Sequence, residues 1–477
     1  MREPKAVVMK AYLKRLPPLW SDTSLRTRIS RHNAETRRCI VVLDDDPTGT
    51  QTVHDVLVLT RWEVDDLKVA IRDGGPAFYI LTNSRSLSLA EAQRVNREIA
   101  INLASAARTE DRAVALVSRS DSTLRGHFPG EVEALSQAWK EATGETFDGV
   151  CIVPFFLEGG RYTVDGVHWV EDKDRLVPAA QSPYSQDPVF GYRNSWLPAW
   201  VEEKTKGAVR SSAILSIPLV TIRKDGPLEV ARRLRGASNG RIVIVNAADE
   251  RDLEVFVFAI QQLETEGKRF LFRTAASFVK IYAGQNDRPL LTREEIVGDR
   301  PAGGALIVFG SHVPRSTEQL ASVKALDDLV AIELPVERIL DESGRESFLL
   351  QVSASLDKAL REGNDALVYT SRTIVRGENQ AANLEIARTV SAALVSVTRQ
   401  LSSEPRYVIG KGGITSSDIA TDGMDVVSSR VLGQVLPGVP VWRLGHQSRW
   451  PGLPFIVFPG NVGEVDSVTS IVKTLRS

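Results

Sequence analysis

Three consecutive carboxylates, Asp44, Asp45 and Asp46, close the apolar run CIVVLDD, and Pro47 and Gly49 then force a turn. Clustered carboxylates repel, so the arrangement is costly unless a cation, a substrate hydroxyl or an arginine compensates. An aspartate so placed can accept the proton of an attacking hydroxyl, as phosphoryl transfer requires, which makes Asp45 and Asp44 the candidate catalytic residues. A solvated turn with an aspartate capping a helix is the alternative. A second polar run, Ser118-Arg119-Ser120-Asp121-Ser122-Thr123-Leu124-Arg125-Gly126-His127, follows another apolar stretch, and Asn83-Ser84-Arg85-Ser86 follows a third. Planar guanidiniums bind carboxylates through two parallel hydrogen bonds. Arg85, Arg119, Asp121, Ser122, Arg125 and Gly126 therefore outline a site for a small acid that carries hydroxyls, although each arginine alone could be structural.

The C-terminal half carries a different pattern. ALIVFG runs into Ser311-His312-Val313-Pro314, RYVIG into Lys411-Gly412-Gly413-Ile414-Thr415-Ser416-Ser417, and PFIVFP into Gly460-Asn461-Val462-Gly463. Glycine lets backbone approach a phosphate, and a helix start offers free N–H donors. Ser311, Gly412, Gly413, Ile414, Thr415 and Gly460 are the candidate nucleotide contacts. There is no G-x-x-x-x-G-K-[ST] run and no G-x-G-x-x-G spacing, so neither a Walker-type loop nor a nicotinamide dinucleotide fold is indicated. Gly236-Ala237-Ser238-Asn239-Gly240 fits the G-x-S-x-G pattern, but it lies after a helix and before a strand, the reverse of a nucleophile elbow.

These turns must be held by regular elements. Short β-branched runs at 39–45, 56–59, 77–81, 113–118, 149–154, 241–247 and 268–274 alternate with amphipathic stretches such as 89–107, 129–143 and 249–265, which predicts helix-covered parallel or mixed sheets. Residues 155–225 break that rhythm with glycines, prolines, Trp and Tyr, and read as hairpins and long loops. The charged, then Pro/Gly-rich stretch 286–304 is the best boundary. After it come strands at 305–310, 329–334, 366–370, 406–410, 440–444 and 454–459, and helices over about 315–326, 347–362, 380–400 and 464–475. The fold class is therefore α/β, in two α/β domains with an active-site cleft between them. Residues 1–38 form a basic arm, 39–290 the acid-binding domain and 301–477 the nucleotide-binding domain.

Composition narrows the function classes. The chain has 477 residues, 59 Lys+Arg against 60 Asp+Glu and a net charge of -1, which argues against a nucleic-acid binder with a broad basic field. No apolar stretch is long enough to span a membrane. The basic arm has no apolar core of a secretory leader and reads as a surface segment. Two cysteines, Cys39 and Cys151, sit in apolar runs, so a disulfide framework or four-cysteine zinc site is excluded and a reducing, cytoplasmic setting is expected. The six histidines show no ligand spacing, so no metal-ligating residues are assigned.

The motifs LDDDPTGTQTV, TNSRSL, RSDSTLRG, GRYTVDGVHWV and GKGGITSSDIA together resemble the four-carbon acid sugar kinase family, from about residue 39 onward. The resemblance implies a sugar-acid-binding N-terminal domain, a nucleotide-binding C-terminal domain, and phosphorylation of a terminal hydroxyl of threonate, erythronate or a 3-oxo-tetronate by ATP with Mg²⁺. On matching positions, Asp44 and Asp45 would face the hydroxyls, Arg85, Arg119, Asp121 and Arg125 would shape the acid site, and Ser311, Gly412, Gly413, Ile414, Thr415 and Gly460 would contact ATP. The chain departs from the family at Ser118-Arg119, where relatives carry a lysine pair, and at Gly310-Ser311-His312-Val313, which lacks a second serine. Those departures keep branched five-carbon oxo acids such as 3-oxo-isoapionate in view. The expected partners are the sugar acid and ATP, with a homodimer as the assembly to test. A non-catalytic ligand-binding regulator on the same fold is the alternative, and a nicotinamide-dependent oxidoreductase is the weakest reading.

Overall fold

Runs such as CIVVLD, AFYIL, GVCIV and FLFRT are buried along their whole length, as strands covered on both faces must be. They form part of an α/β chain whose computed structural model describes residues 4–476 apart from Ile374, Arg376, Asn379 and Asn461. Arg2 and Glu3 of the basic arm and Asn461 of the third glycine turn thus lie outside the described residues. The chain divides into two compact units, Met1–Gly49 with Arg61–Asp287, and Thr50–Thr60 with Arg288–Ser477.

In the first unit, seven parallel strands lie in the order Leu215–Ile217, Arg241–Val245, Gly149–Val153, Phe270–Thr274, Val114–Arg119, Cys39–Asp44 and Ala77–Leu81. The helices Leu89–Thr109, Gly130–Thr143 and Glu250–Thr265 bury their apolar stripes. The first of these begins with a capping box in which Ser88 and Glu91 satisfy each other's backbone N–H. A separate antiparallel sheet of Val7–Val8, Arg175–Pro178, Val167–Asp172 and Arg161–Val164 occupies the segment read as hairpins.

The second unit carries a mixed sheet. Val56–Leu59, Ser428–Leu436, Val439–Leu444 and Pro454–Phe458 pair antiparallel in that order. Val408–Lys411, Leu306–Phe309, Asp365–Thr370 and Leu329–Leu334 continue it in parallel. The segment Thr50–Thr60, which lies within the first half of the sequence, belongs to this unit. The Ser428–Leu436 strand went unread in the sequence because only every second residue is buried and Gly433 interrupts the pattern at a register shift.

The basic arm is part of the fold. Its helix, Leu25–Thr36, buries Leu25 and Ile29, and Asn33 Nδ2 donates to the Tyr282 carbonyl at 2.7 Å. Three of its arginines are met within the same unit. Arg26 pairs with Glu250 at 3.1 Å and Glu254 at 2.9 Å, Arg38 pairs with Glu264, and the Arg28 guanidinium lies 4.1 Å from the Phe258 ring centroid. Ile29→Ala is expected to destabilise the chain by about 2–4 kcal/mol in urea unfolding, while Arg31→Ala, on the exposed face of the same helix, stays within about 0.5 kcal/mol of the parent. Equal effects would place the arm outside the cooperative unit.

Candidate active site

The strands Phe270–Thr274, Val114–Arg119, Cys39–Asp44 and Ala77–Leu81 are successive neighbours in one parallel sheet, so the residues at their carboxyl ends meet at one edge. Arg119 Nη1 lies 3.1 Å from Asp44 Oδ1 and 3.6 Å from Asp45 Oδ1. Arg85 sets Nη2 2.6 Å from Asp46 Oδ2 and 3.4 Å from Asp45 Oδ1, and Nη1 3.2 Å from Asp121 Oδ1. Arg125 grips Asp121 through Nε at 2.9 Å and Nη2 at 3.0 Å, with Nη1 3.7 Å from Asp187. Ser120 Oγ donates to Asp45 Oδ2 at 2.7 Å. All three aspartates of the first run are buried.

The crowding separates their proton affinities. Burial pushes the Asp44 carboxyl up to about 8, against the pull of Arg119 and helped by Asp45 and Asp46. Burial acts on Asp46 in the same direction, but Arg85 and Arg119 outweigh it and hold that carboxyl below its usual range. Asp121 is likewise held well down, since Arg125 and Arg85 overcome its burial. Such divergence between neighbouring carboxyls is what acid–base chemistry at one site requires.

The turn carrying Asp121 and Arg125 is braced by the hairpin segment. The buried His168 ring sets Nε2 2.7 Å from the Ser122 carbonyl and Nδ1 3.1 Å from Thr163 Oγ1, and Tyr192 Oη donates to the Thr123 carbonyl at 2.7 Å. Gly126 has φ +117°, and a Cβ there would stand 2.8 Å from Ser120 Oγ, 3.1 Å from Arg273 Nη2 and 3.3 Å from Asp45 Oδ2. Its missing side chain lets the turn close directly onto the Asp45 carboxylate, where a methyl group would not fit.

In the second unit the glycine turns also meet at adjacent strand ends. Ser316 Oγ donates to the Gly460 carbonyl at 2.8 Å and lies 3.0 Å from Ser311 Oγ, whose hydroxyl can donate to it, which ties the first turn to the third. A Cβ at Gly412 (φ +117°) would lie 3.1 Å from Ser311 Cβ and 3.3 Å from Thr415 Oγ1, and one at Gly460 would lie 2.8 Å from Ser311 Oγ. Arg372 Nη1 donates to the Ser311 carbonyl at 2.6 Å. Lys411 is fully buried, donates from Nζ to the Pro459 carbonyl and, at 3.2 Å, to that of Gly460, and is pushed down to about 7 by burial and by Arg315.

The sequence-derived residues thus fall into two groups. Asp44, Asp45, Arg85, Arg119, Asp121, Arg125 and Gly126 converge in the first unit, with Ser122 engaged through its carbonyl. Ser311, Gly412, Thr415 and Gly460 converge in the second, where Gly413 opens the helix Gly413–Asp418 and Ile414 is half exposed. Sequence reasoning missed Arg273 and Lys411. Each is a single charge at the end of an otherwise apolar strand, a signal present in KRFLFRT and RYVIGK.

Comparison with known proteins now becomes specific. Residues 40–282 match the model of a sugar-binding N-terminal domain, and residues 306–468 that of a nucleotide-binding C-terminal domain. The chain belongs to the four-carbon acid sugar kinase family. Among its relatives in this sugar-acid kinase family is a D-threonate kinase of Bordetella bronchiseptica, 25% identical over 449 residues that cover 92% of this chain and 97% of that one. A D-threonate kinase of Cupriavidus necator is 26% identical over 346 residues, 71% of this chain and 74% of that one. The fold is shared with a candidate tRNA synthase of Salmonella typhimurium LT2 (TM-score 0.64, 17% identity, 92% of this chain and 98% of that one). It is shared also with a Haemophilus influenzae protein of a formerly uncharacterised domain family (TM-score 0.58, 16% identity, 92% and 100%). Among the described residues no helix is long and apolar enough to cross a membrane.

The brace on the arginine turn has a measurable pH signature. Burial pushes the His168 imidazole down from 6.5 to about 4, so the unfolded chain takes up a proton that the folded chain refuses as pH falls between those values. The contribution is intact above pH 6.5 and withdraws about 3 kcal/mol by pH 4. His168→Gln, which cannot titrate, is expected to show a flatter stability profile than the parent between pH 7 and 5 in urea melts. Parallel profiles would remove His168 from the account.

Proposed function

We propose that the chain is an ATP-dependent kinase that phosphorylates a terminal hydroxyl of a small sugar acid. The acceptor is a four-carbon acid such as threonate, erythronate or 3-oxo-tetronate, or a branched five-carbon oxo acid such as 3-oxo-isoapionate. The observation that carries this reading is the arginine-ringed aspartate cluster of the first unit, in which Asp45 lies between Arg85 and Arg119. The D-threonate kinases among the relatives favour four carbons as the first acids to try.

In this reading Asp45 is the base. Burial raises the proton affinity of Asp44, which is also packed against Gly49, where a Cβ would fall on its carboxylate. Asp45 pairs with both Arg85 and Arg119, and its second oxygen is oriented by Ser120. The hydroxyl of the acid gives its proton to Asp45 Oδ2 as the oxygen attacks the terminal phosphorus of ATP, and ADP leaves. Ser311, Gly412, Thr415 and Gly460 provide close backbone approach and hydroxyl donors for the phosphates, and Lys411 fixes the Gly460 turn from beneath.

Among the described residues no group of three His, Cys, Asp or Glu side chains could hold a metal, so the donor set suits an Mg²⁺ carried by the phosphates with most of its waters. Bound there, Mg²⁺ would offset phosphate charge. Cys39 and Cys151 are buried and free, in keeping with a cytoplasmic setting.

Coupled ADP-release assays across four- and five-carbon acids test the proposal. Turnover with at least one acid is expected, and binding of both acid and ATP in calorimetry without any product would make the chain a ligand-binding regulator instead. Asp45→Asn should lower kcat by about 10²- to 10⁴-fold while ATP affinity is kept. Retained turnover would move the base to another residue.

A further inference from the structure

Four guanidiniums belong to the aspartate cluster, and three of them are already engaged by acids. Arg119 is held by Asp44 and Asp45, Arg85 by Asp45, Asp46 and Asp121, and Arg125 by Asp121 and Asp187. The fourth, Arg273, forms no ion pair among the described residues. Its one hydrogen bond runs from Nη2 to the Arg125 carbonyl at 3.3 Å, although the residue is only 5% exposed. Burial depresses its proton affinity, with Asp45, Glu131 and Asp121 opposing at longer range. A desolvated cation without a counter-ion is unfavourable and persists where a ligand supplies the missing charge. Arg273 Nη2 and Asp45 Oδ2 close on the same point of the Gly126 turn, where a Cβ would stand 3.1 Å from the first and 3.3 Å from the second, so the guanidinium sits beside the Asp45 carboxylate.

We propose that Arg273 takes the carboxylate of the acceptor acid, beside Asp45. This assignment rests on the sugar-acid reading of the preceding subsection. It places the carboxylate anchor outside the arginines read from the sequence, of which Arg125 is spent on Asp121. The acid's carboxylate then neutralises the one uncompensated charge of the cluster, while its hydroxyls lie toward Asp45. An uncharged polyol of the same length leaves Arg273 as it was, so selectivity for acids over polyols originates at this residue. Arg273 lies on the strand Phe270–Thr274, whose backbone is fixed between two parallel neighbours, so its position does not depend on a loop.

The test uses the full chain, with D-threonate and its uncharged counterpart D-threitol as probes in titration calorimetry, after the parent has been screened against the four- and five-carbon acids. If D-threonate is not the acid bound best, the best acid and its polyol replace the pair. The parent is expected to prefer the acid. Arg273→Met should weaken acid binding by about 30-fold or more while polyol binding stays within about threefold, and Arg273→Lys should recover part of the loss. Because no acid in the fold depends on Arg273, Arg273→Met should melt at or above the parent temperature.

A parent that binds none of the acids overturns the sugar-acid reading, and this assignment with it. A parent that binds the acid, beside an Arg273→Met variant that binds it equally well, overturns the Arg273 assignment alone. Parallel losses for acid and polyol, or a variant melting well below the parent, place Arg273 in the scaffold and overturn the assignment as well.

Discussion

Everything in the first unit is arranged around the repulsion of three carboxylates in successive positions at one strand end. Asp44, Asp45 and Asp46 are all buried, and none could stay charged there without a cation close by. The flanking strands supply those cations, Arg119 from one side and Arg85 from the other, and both bridge more than one acid. Asp121 and Arg125 extend the chain of opposite charges outward. Because Asp45, Asp121 and all three arginines answer to at least two neighbours, the turns that carry them are positioned by electrostatics as well as by the sheet. The hairpin segment adds the braces of His168 and Tyr192 on the outer turn.

The second unit solves a different problem by omission. Its turns converge through small residues, and Gly412 and Gly460 stand where any side chain would press on Ser311. The bonds that hold them run to backbone carbonyls, from Ser316, Arg372 and Lys411. One site selects by charge, while the other clears backbone for a polyanion.

Much of this was legible in the sequence because a parallel sheet writes strand ends as apolar runs followed by polar turns. The aspartate run, both arginine turns and the glycine turns were found in that way. Which acid each arginine would hold was not legible, because it depends on strand order. Phe270–Thr274 lies next to Val114–Arg119, although about 150 residues separate them, and only that adjacency brings Arg273 to the cluster. Lys411 was hidden similarly, since a lone lysine at a strand end looks solvated until the turn above it is known. The basic arm looked like surface because its partners, Glu250, Glu254 and Glu264, lie on a helix far along the chain.

The segment Thr50–Thr60 gives the two units an unequal history. The chain leaves the first unit after Gly49, lays down Val56–Leu59 against Ser428–Val431, and returns at Arg61. Thr50 Oγ1 accepts from Trp442 Nε1 at 3.0 Å, and Gln51 Nε2 donates to the Gly438 carbonyl at 3.0 Å. A ribosome making this protein releases that strand hundreds of residues before its Ser428–Leu436 neighbour exists. A cut at the Pro/Gly stretch would deprive the second unit of a strand it owns.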